Sequence, residues 1–78
     1  MLKVAVIEDQ FRIREWLRML IDGTDGYRCT GSFGSMEEAL ENVGRDLPDV
    51  VLVDIGLPKM SGIEGLCLLN RGIRVFRL

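Results

Sequence analysis

Three acidic residues directly follow two apolar, β-branched segments of this 78-residue chain. Glu8 and Asp9 come after Leu2–Ile7, and Asp54 comes after Val50–Val53. A carboxylate at the end of a buried strand is costly unless a partner compensates its charge. Because ligands of open α/β sheets bind at the carboxyl ends of the strands, these side chains are the candidates for chemistry.

The chemistry that fits three converging carboxylates is the binding of a hard cation. Without a cation they would repel one another, and at least one would stay protonated. Mg²⁺ prefers oxygen ligands, retains several waters, and takes one or two carboxylates together with phosphate oxygens. Gly56 and Pro58 end the strand before them, and Gly56 can turn its backbone carbonyl toward the metal. The alternative is that Glu8 and Asp9 are a solvated loop pair and Asp54 is an ordinary turn former.

The order of apolar segments predicts alternating strands and helices. We expect strands at Leu2–Ile7, Tyr27–Phe33, Val50–Val53 and Ile73–Leu78, and helices at Phe11–Ile21, after Ser35 and at Ile63–Leu69. The polar character of Tyr27–Phe33 predicts an edge strand, whereas the apolar run Val50–Val53 predicts a strand buried on both faces. Because the tail contains Arg74 and Arg77, it is either an edge strand that tolerates charge or not a strand.

The two longer helices have recognisable faces. The first has apolar residues at helical spacing, at Ile13, Leu17, Leu20 and Ile21. Its water-facing side is marked by Arg12, Arg14 and Arg18. The segment from Ser35 to Glu38 is a capping box that opens the second helix. We expect its inward residues to be Met36, Ala39, Leu40 and Val43.

This alternation of elements predicts an α/β fold with a parallel sheet and helices on both faces. Crossovers between parallel strands are right-handed. If the chain steps from the first strand to the second and then back past the first to the third, the strand order reverses. The crevice at that switch point lies beside the carboxyl ends of the first and third strands. Glu8, Asp9 and Asp54 follow those two ends.

Composition restricts the classes of function. The length suffices for one domain of marginal stability, and a net charge of −2 is unsuited to nucleic-acid binding. We expect no membrane span, and a cytoplasmic location because no segment matches a signal peptide. Cys29 and Cys67 lie far apart in a chain without histidine, so we expect two free, mostly buried thiols.

Two sequence motifs carry a family resemblance. "KVAVIEDQ" and "DVVLVDIGLPKMSGIEGL", with the capped helix between them, resemble the receiver domain of bacterial two-component response regulators. The similarity extends from Leu2 to about Leu66 and is greatest to receivers that accompany a LuxR-type DNA-binding domain. It implies a flavodoxin-like (CheY-like) doubly wound parallel sheet, here with the first three βα units and a fourth strand at most.

The resemblance also implies roles for the acidic residues. Asp54 matches the phosphoacceptor that takes a phosphoryl group from a sensor histidine kinase. Asp9 matches the Mg²⁺ ligand, Glu8 assists it partly through water, and Gly56 matches the position whose carbonyl binds the metal. Attack by a carboxylate on a phosphoryl group, with a cation screening the charges, is covalent catalysis. Self-catalysed phosphoryl transfer is the most enzyme-like activity implied.

The tail departs from the family. Receivers carry a Ser or Thr after the fourth strand and a Lys after the fifth, and this chain has neither. Its lysines are Lys3, near the start of the first strand, and Lys59, which follows Asp54. We therefore expect residues 1–78 to be a truncated receiver that lacks its last strand and helices and any output domain. A natural truncation, a shifted reading frame or an experimental cut would each produce such a tail.

Three functions compete. The first is a phosphoacceptor, and the second is a non-phosphorylated fragment that acts only by association. The third, a D-x-D carboxylate hydrolase, is disfavoured because Gly56 stands where its second aspartate belongs. We also expect a dimer or larger oligomer, because the missing elements would leave one sheet face uncovered. Trp16 then lies either at the uncovered border or in an ordinary core.

Overall fold

The strands and helices of the protein follow the predicted order. A computed structural model describes residues 1–54 and 72–77. Its elements are β1 (Leu2–Ile7), α1 (Phe11–Asp22), β2 (Tyr27–Phe33), α2 (Met36–Asn42), a 3₁₀ turn (Val43–Arg45), β3 (Val50–Val53) and β4 (Arg74–Arg77). The bounds of the first three strands are confirmed. The expected helix at Ile63–Leu69 lies outside the described residues.

The four strands form one parallel sheet in the order β2-β1-β3-β4. The chain moves from β1 outward to β2 and then returns past β1 to β3. Right-handed crossovers consequently put α1 and α2 on opposite faces. This arrangement confirms the doubly wound α/β fold, the edge position of β2 and the switch point between β1 and β3.

Strand β4 resolves the question raised by the charged tail. It pairs in parallel with β3, and Val51 lies opposite Val75. Val75 packs against the core, whereas Arg74 and Arg77 are exposed. Of the strands described, β4 therefore lies at the edge of the sheet beyond β3, a position that tolerates charge. The strand begins at Arg74, one residue later than expected, and Ile73 precedes it as a buried core residue. Leu78 lies outside the described residues.

The main core lies on the α2 face of the sheet. It consists of Ala5, Ile7, Phe33, Met36, Ala39, Val43, Val51, Val53 and Ile73. Capping of α2 by Ser35 is confirmed, because Ser35 Oγ accepts the Glu38 N–H at 3.1 Å. The Glu38 carboxylate accepts the N–H of Gly34, the residue before the cap, at 3.0 Å, which is a variant of the expected capping box. The expectation that Leu40 faces inward was wrong: it is 41% exposed, since the short helix covers the sheet only along one narrow stripe.

The α1 face is only partly covered. Helix α1 packs on β1 and β2, and none of its residues is fully buried. Val51 and Val53 are completely buried, but Val50 and Leu52 on the opposite face are only half-buried. The prediction that β3 is buried on both faces was therefore wrong, because α1 does not extend over it.

Phe76, which pairs with Leu52 and shares its face of the sheet, is 52% exposed. Trp16 on α1 is 63% exposed, so it does not lie in an ordinary core. Cys29 is a free, half-buried thiol whose pKa is raised by that burial. Neither described helix has the length and apolar character needed to cross a membrane.

Candidate functional site

The structure brings the three predicted carboxylates together. Glu8, Asp9 and Asp54 each place a carboxylate oxygen within 4.8 Å of the other two. Glu8 is buried, Asp54 is half-buried and Asp9 is exposed. The cluster is thus open to solvent on the side of Asp9 and closed on the side of Glu8. This geometry disfavours the alternative in which the acidic pair and Asp54 are unrelated loop features.

Strand pairing fixes the positions of these residues. Ile7 lies opposite Val53 in the β1–β3 register, so both strands end at the same level. The Asp54 N–H donates to the Ile7 carbonyl at 3.1 Å, which extends the ladder one residue beyond β3. On the other side, the Glu8 N–H donates to the carbonyl of Phe33 at 3.0 Å. The backbone carrying the cluster is therefore hydrogen-bonded to both neighbouring strands.

The pKa of Glu8 reflects its burial and the neighbouring carboxylates. Burial raises the pKa of its carboxyl, and the neighbouring charges of Asp54 and Asp9 raise it further. A hydrogen bond from the Gln10 N–H to Glu8 Oε1, at 3.0 Å, lowers this pKa and so opposes the effect. A carboxylate whose negative charge is disfavoured in this way, placed beside two further oxygen donors, is an arrangement that a divalent cation stabilises.

Arg14 is a residue of this region that the sequence prediction missed. It was assigned to the water-facing side of α1, but its Nη1 donates to the Glu8 carbonyl at 3.0 Å. The guanidinium also lies over the Phe11 ring, 5.3 Å from its centroid. A signal was present in the sequence, because Arg14 lies three residues before Leu17 and seven before Ile21, on the half-buried stripe of the helix.

Other predicted features lie elsewhere. Gly56 and Lys59 are outside the described residues, so the structure does not place them. Lys3 lies at the opposite end of β1, where its Nζ donates to Asp46 at 3.0 Å. Lys3 therefore cannot substitute for the lysine that the family places beside the phosphoacceptor.

Comparison with known proteins supports the same interpretation. Residues 4–75 match the family model described as the response regulator receiver domain. The chain is 36% identical over 70 residues to the transcriptional regulatory protein BtsR of Salmonella typhimurium, covering 90% of this chain and 29% of that protein. It is 33% identical over 64 residues to the transcriptional regulatory protein YdfI of Bacillus subtilis, covering 82% of this chain and 30% of that protein.

A solved structure has the same fold. The N-terminal domain of an uncharacterized protein from Wolinella succinogenes superposes with a TM-score of 0.68 at 30% identity, covering 99% of this chain and 64% of that one. The chain thus spans under a third of the length of each of the two regulators, and these comparisons cover between 82% and 99% of this chain. With its parallel sheet, its acidic cluster at the switch point and the match over residues 4–75, this chain belongs to the response regulator receiver domain family.

Proposed function

We propose that this chain is a phosphoacceptor, in which Asp54 accepts a phosphoryl group from a sensor histidine kinase with the help of Mg²⁺. Receiver domains generally bind Mg²⁺ at an acidic pocket and interact with histidine kinases. The observation that carries the proposal is the meeting of Glu8, Asp9 and Asp54 within 4.8 Å at the ends of adjoining strands.

The donor set fits a magnesium ion. The residues that would hold it are Asp9 and Asp54 through carboxylate oxygens, Glu8 partly through water, and Gly56 through its backbone carbonyl. A bound Mg²⁺ supplies charge neutralisation, so that an anionic carboxylate can approach an anionic phosphoryl group. Because Asp9 is exposed and Asp54 is only half-buried, this side of the cluster is accessible to solvent and to a phosphoryl donor.

Asp54 has the position needed for nucleophilic attack. One carboxylate oxygen forms a bond to phosphorus while the bond from phosphorus to the donor's imidazole nitrogen breaks, which yields an acyl phosphate. The Asp54 N–H donates to the Ile7 carbonyl, so the nucleophile is attached to backbone that is hydrogen-bonded to the central strand β1. Orientation of this kind lowers the entropic part of the barrier.

Phosphorylation by a small donor tests the proposal. We expect acetyl phosphate with Mg²⁺ to add one phosphoryl group by intact-mass spectrometry, and Asp54→Asn to abolish the addition. Asp25→Asn, a change at an exposed loop aspartate, should leave the addition intact. Equal modification of the Asp54→Asn variant and the parent would show that another residue is the acceptor.

Association without phosphorylation is the second candidate, and the incompletely covered α1 face favours it. Under this proposal two copies pair through the surface that includes Leu52 and Phe76, and the chain acts as an interaction module. Folded protein that gains no phosphoryl mass but sediments as a dimer would favour this candidate over the first.

Neither candidate involves nucleic-acid or membrane binding by these residues. A cytoplasmic location is part of both proposals, supported by relatives that are named transcriptional regulators.

A further inference from the structure

We infer that Arg14 is a positioning residue of the acidic cluster, which fixes the peptide unit joining Glu8 to Asp9 and thereby strengthens divalent-cation binding. The expected effect on cation affinity rests on the proposed function, whereas the expected effect on the position of the peptide does not. Arg14 belongs to α1, and its hydrogen bond to the cluster goes to the backbone carbonyl of Glu8, so this effect passes through the backbone.

The guanidinium of Arg14 makes two contacts and lies in a space left by a glycine. Its Nη1 donates to the Glu8 carbonyl at 3.0 Å, and its charge lies over the Phe11 ring. Its third neighbour is Gly34, which follows β2: a Cβ built on Gly34 would lie only 2.7 Å from Nη1. The absence of a side chain at position 34 therefore provides the space in which the guanidinium lies.

The peptide that Arg14 contacts is the one that orients two of the three carboxylates. Glu8 lies just beyond the last residue of β1, and its N–H is fixed by the Phe33 carbonyl. Its carbonyl is fixed by Arg14 from the helix side. Because the N–H and the carbonyl of Glu8 are both hydrogen-bonded, rotation of its backbone is restricted. The position of the Asp9 side chain, which follows directly, is restricted as a result. A charged donor makes this restraint stronger than a neutral hydrogen bond would.

A purely structural role for Arg14 makes a different prediction. If the contact only fastened α1 to β1, its loss would lower stability but leave the cation affinity of folded molecules unchanged. A positioning role predicts a loss of affinity among folded molecules, because hydrogen bonds behind the ligands of a metal typically change its affinity by about 10- to 100-fold.

The experiment compares Arg14→Gln with Arg12→Gln, which removes the same charge from an exposed position on the same helix. Mn²⁺ and Mg²⁺ affinities are measured by calorimetry and normalised to the folded fraction from circular dichroism. We expect about a 10-fold loss for Arg14→Gln, partial recovery for Arg14→Lys, and a change within about twofold for Arg12→Gln. Equal affinities for the two glutamine variants would overturn the inference.

Gly34→Ala tests the same contact without changing any charge. The added methyl group must displace the guanidinium, so we expect an affinity loss in the same direction as for Arg14→Gln. Unchanged affinity in Gly34→Ala together with a loss in Arg14→Gln would assign the effect to charge alone and overturn the positioning role.

A metal-free measurement separates this inference from the proposed function. Hydrogen exchange at the Gln10 amide, which donates to Glu8 Oε1, should accelerate in Arg14→Gln and not in Arg12→Gln. If the parent protein binds no cation, the metal part of the proposed function fails, and this exchange measurement alone decides the role of Arg14. Identical Gln10 exchange in the parent and both variants would then refute it.

Discussion

At the scale of single residues, the buried carboxylate of Glu8 lowers the stability of the folded protein when no metal is bound. Its pKa is raised in the folded chain, mainly by burial, from an ordinary value of 4.5. Between that value and the raised one, the folded chain binds more protons than the unfolded chain. Stability therefore falls as the pH rises through this window, and the loss is complete above the folded pKa.

We predict that Glu8→Gln stabilises the metal-free protein at neutral pH by on the order of 1 kcal/mol. The amide removes the buried charge, and its carbonyl oxygen can still accept the Gln10 N–H. Urea unfolding at several pH values measures the effect, which should disappear below pH 4, where the parent carboxyl is protonated. Glu41→Gln on the exposed side of α2 is the control. Equal gains in both variants would contradict a specific cost at Glu8.

At the scale of elements, two serines on either side of the β2–α2 junction differ in their hydrogen bonding. Ser35 caps α2 through its Oγ, whereas the Ser32 hydroxyl is buried without a partner in the described part of the chain. We predict that Ser35→Ala costs about 1 kcal/mol of unfolding free energy. Ser32→Ala should be neutral or stabilising, because a buried hydroxyl without a hydrogen bond is itself a cost.

Chemical denaturation of the two alanine variants checks this prediction. The substitutions remove the same atom, so differences in the unfolded state largely cancel. A Ser32→Ala loss as large as that of Ser35→Ala would mean that the Ser32 hydroxyl has a stabilising contact after all. Unchanged stability in Ser35→Ala would contradict the stabilising role of the cap.

The elements also show what could be predicted from the sequence. Local signals sufficed for β1, β2 and β3 and for the Ser35 cap, because β-branched runs and capping boxes act over a few neighbouring residues. The convergence of Glu8 and Asp54 followed from the topology. The role of Arg14 and the exposure of Leu40 depend on which distant element packs against each side chain, and one helix face cannot determine that alone.

At the scale of the whole molecule, the incompletely covered α1 face predicts self-association. Phe76 on β4 is 52% exposed beside the half-buried Leu52 and Val50. Apolar surface of this kind at the end of a sheet tends to pair with another chain. We predict a dimer at micromolar concentration, and about a 10-fold weaker dimer in Phe76→Thr, which removes the aromatic ring but leaves a residue of high β-propensity in the strand.

Sedimentation equilibrium measures this change in association. Leu47→Thr, at an exposed apolar position in the loop before β3, is the matched control and should leave the dimer unaffected. A cooperatively folded parent monomer at micromolar concentration would show that this face needs no second copy.

The register of β1 and β3 has a consequence for the order of events in folding. Glu8 and Asp54 are remote in sequence and become neighbours only when Ile7 pairs with Val53. A cation that needs both residues cannot bind the unfolded chain with comparable strength, so binding and strand pairing are thermodynamically linked. At about 100 times its dissociation constant, such a ligand adds about 2.7 kcal/mol to the stability of a chain. Under the proposed function, the ion that would prepare Asp54 for phosphorylation would thus also set the fraction of molecules that are folded, and signalling competence would follow the cellular supply of that ion.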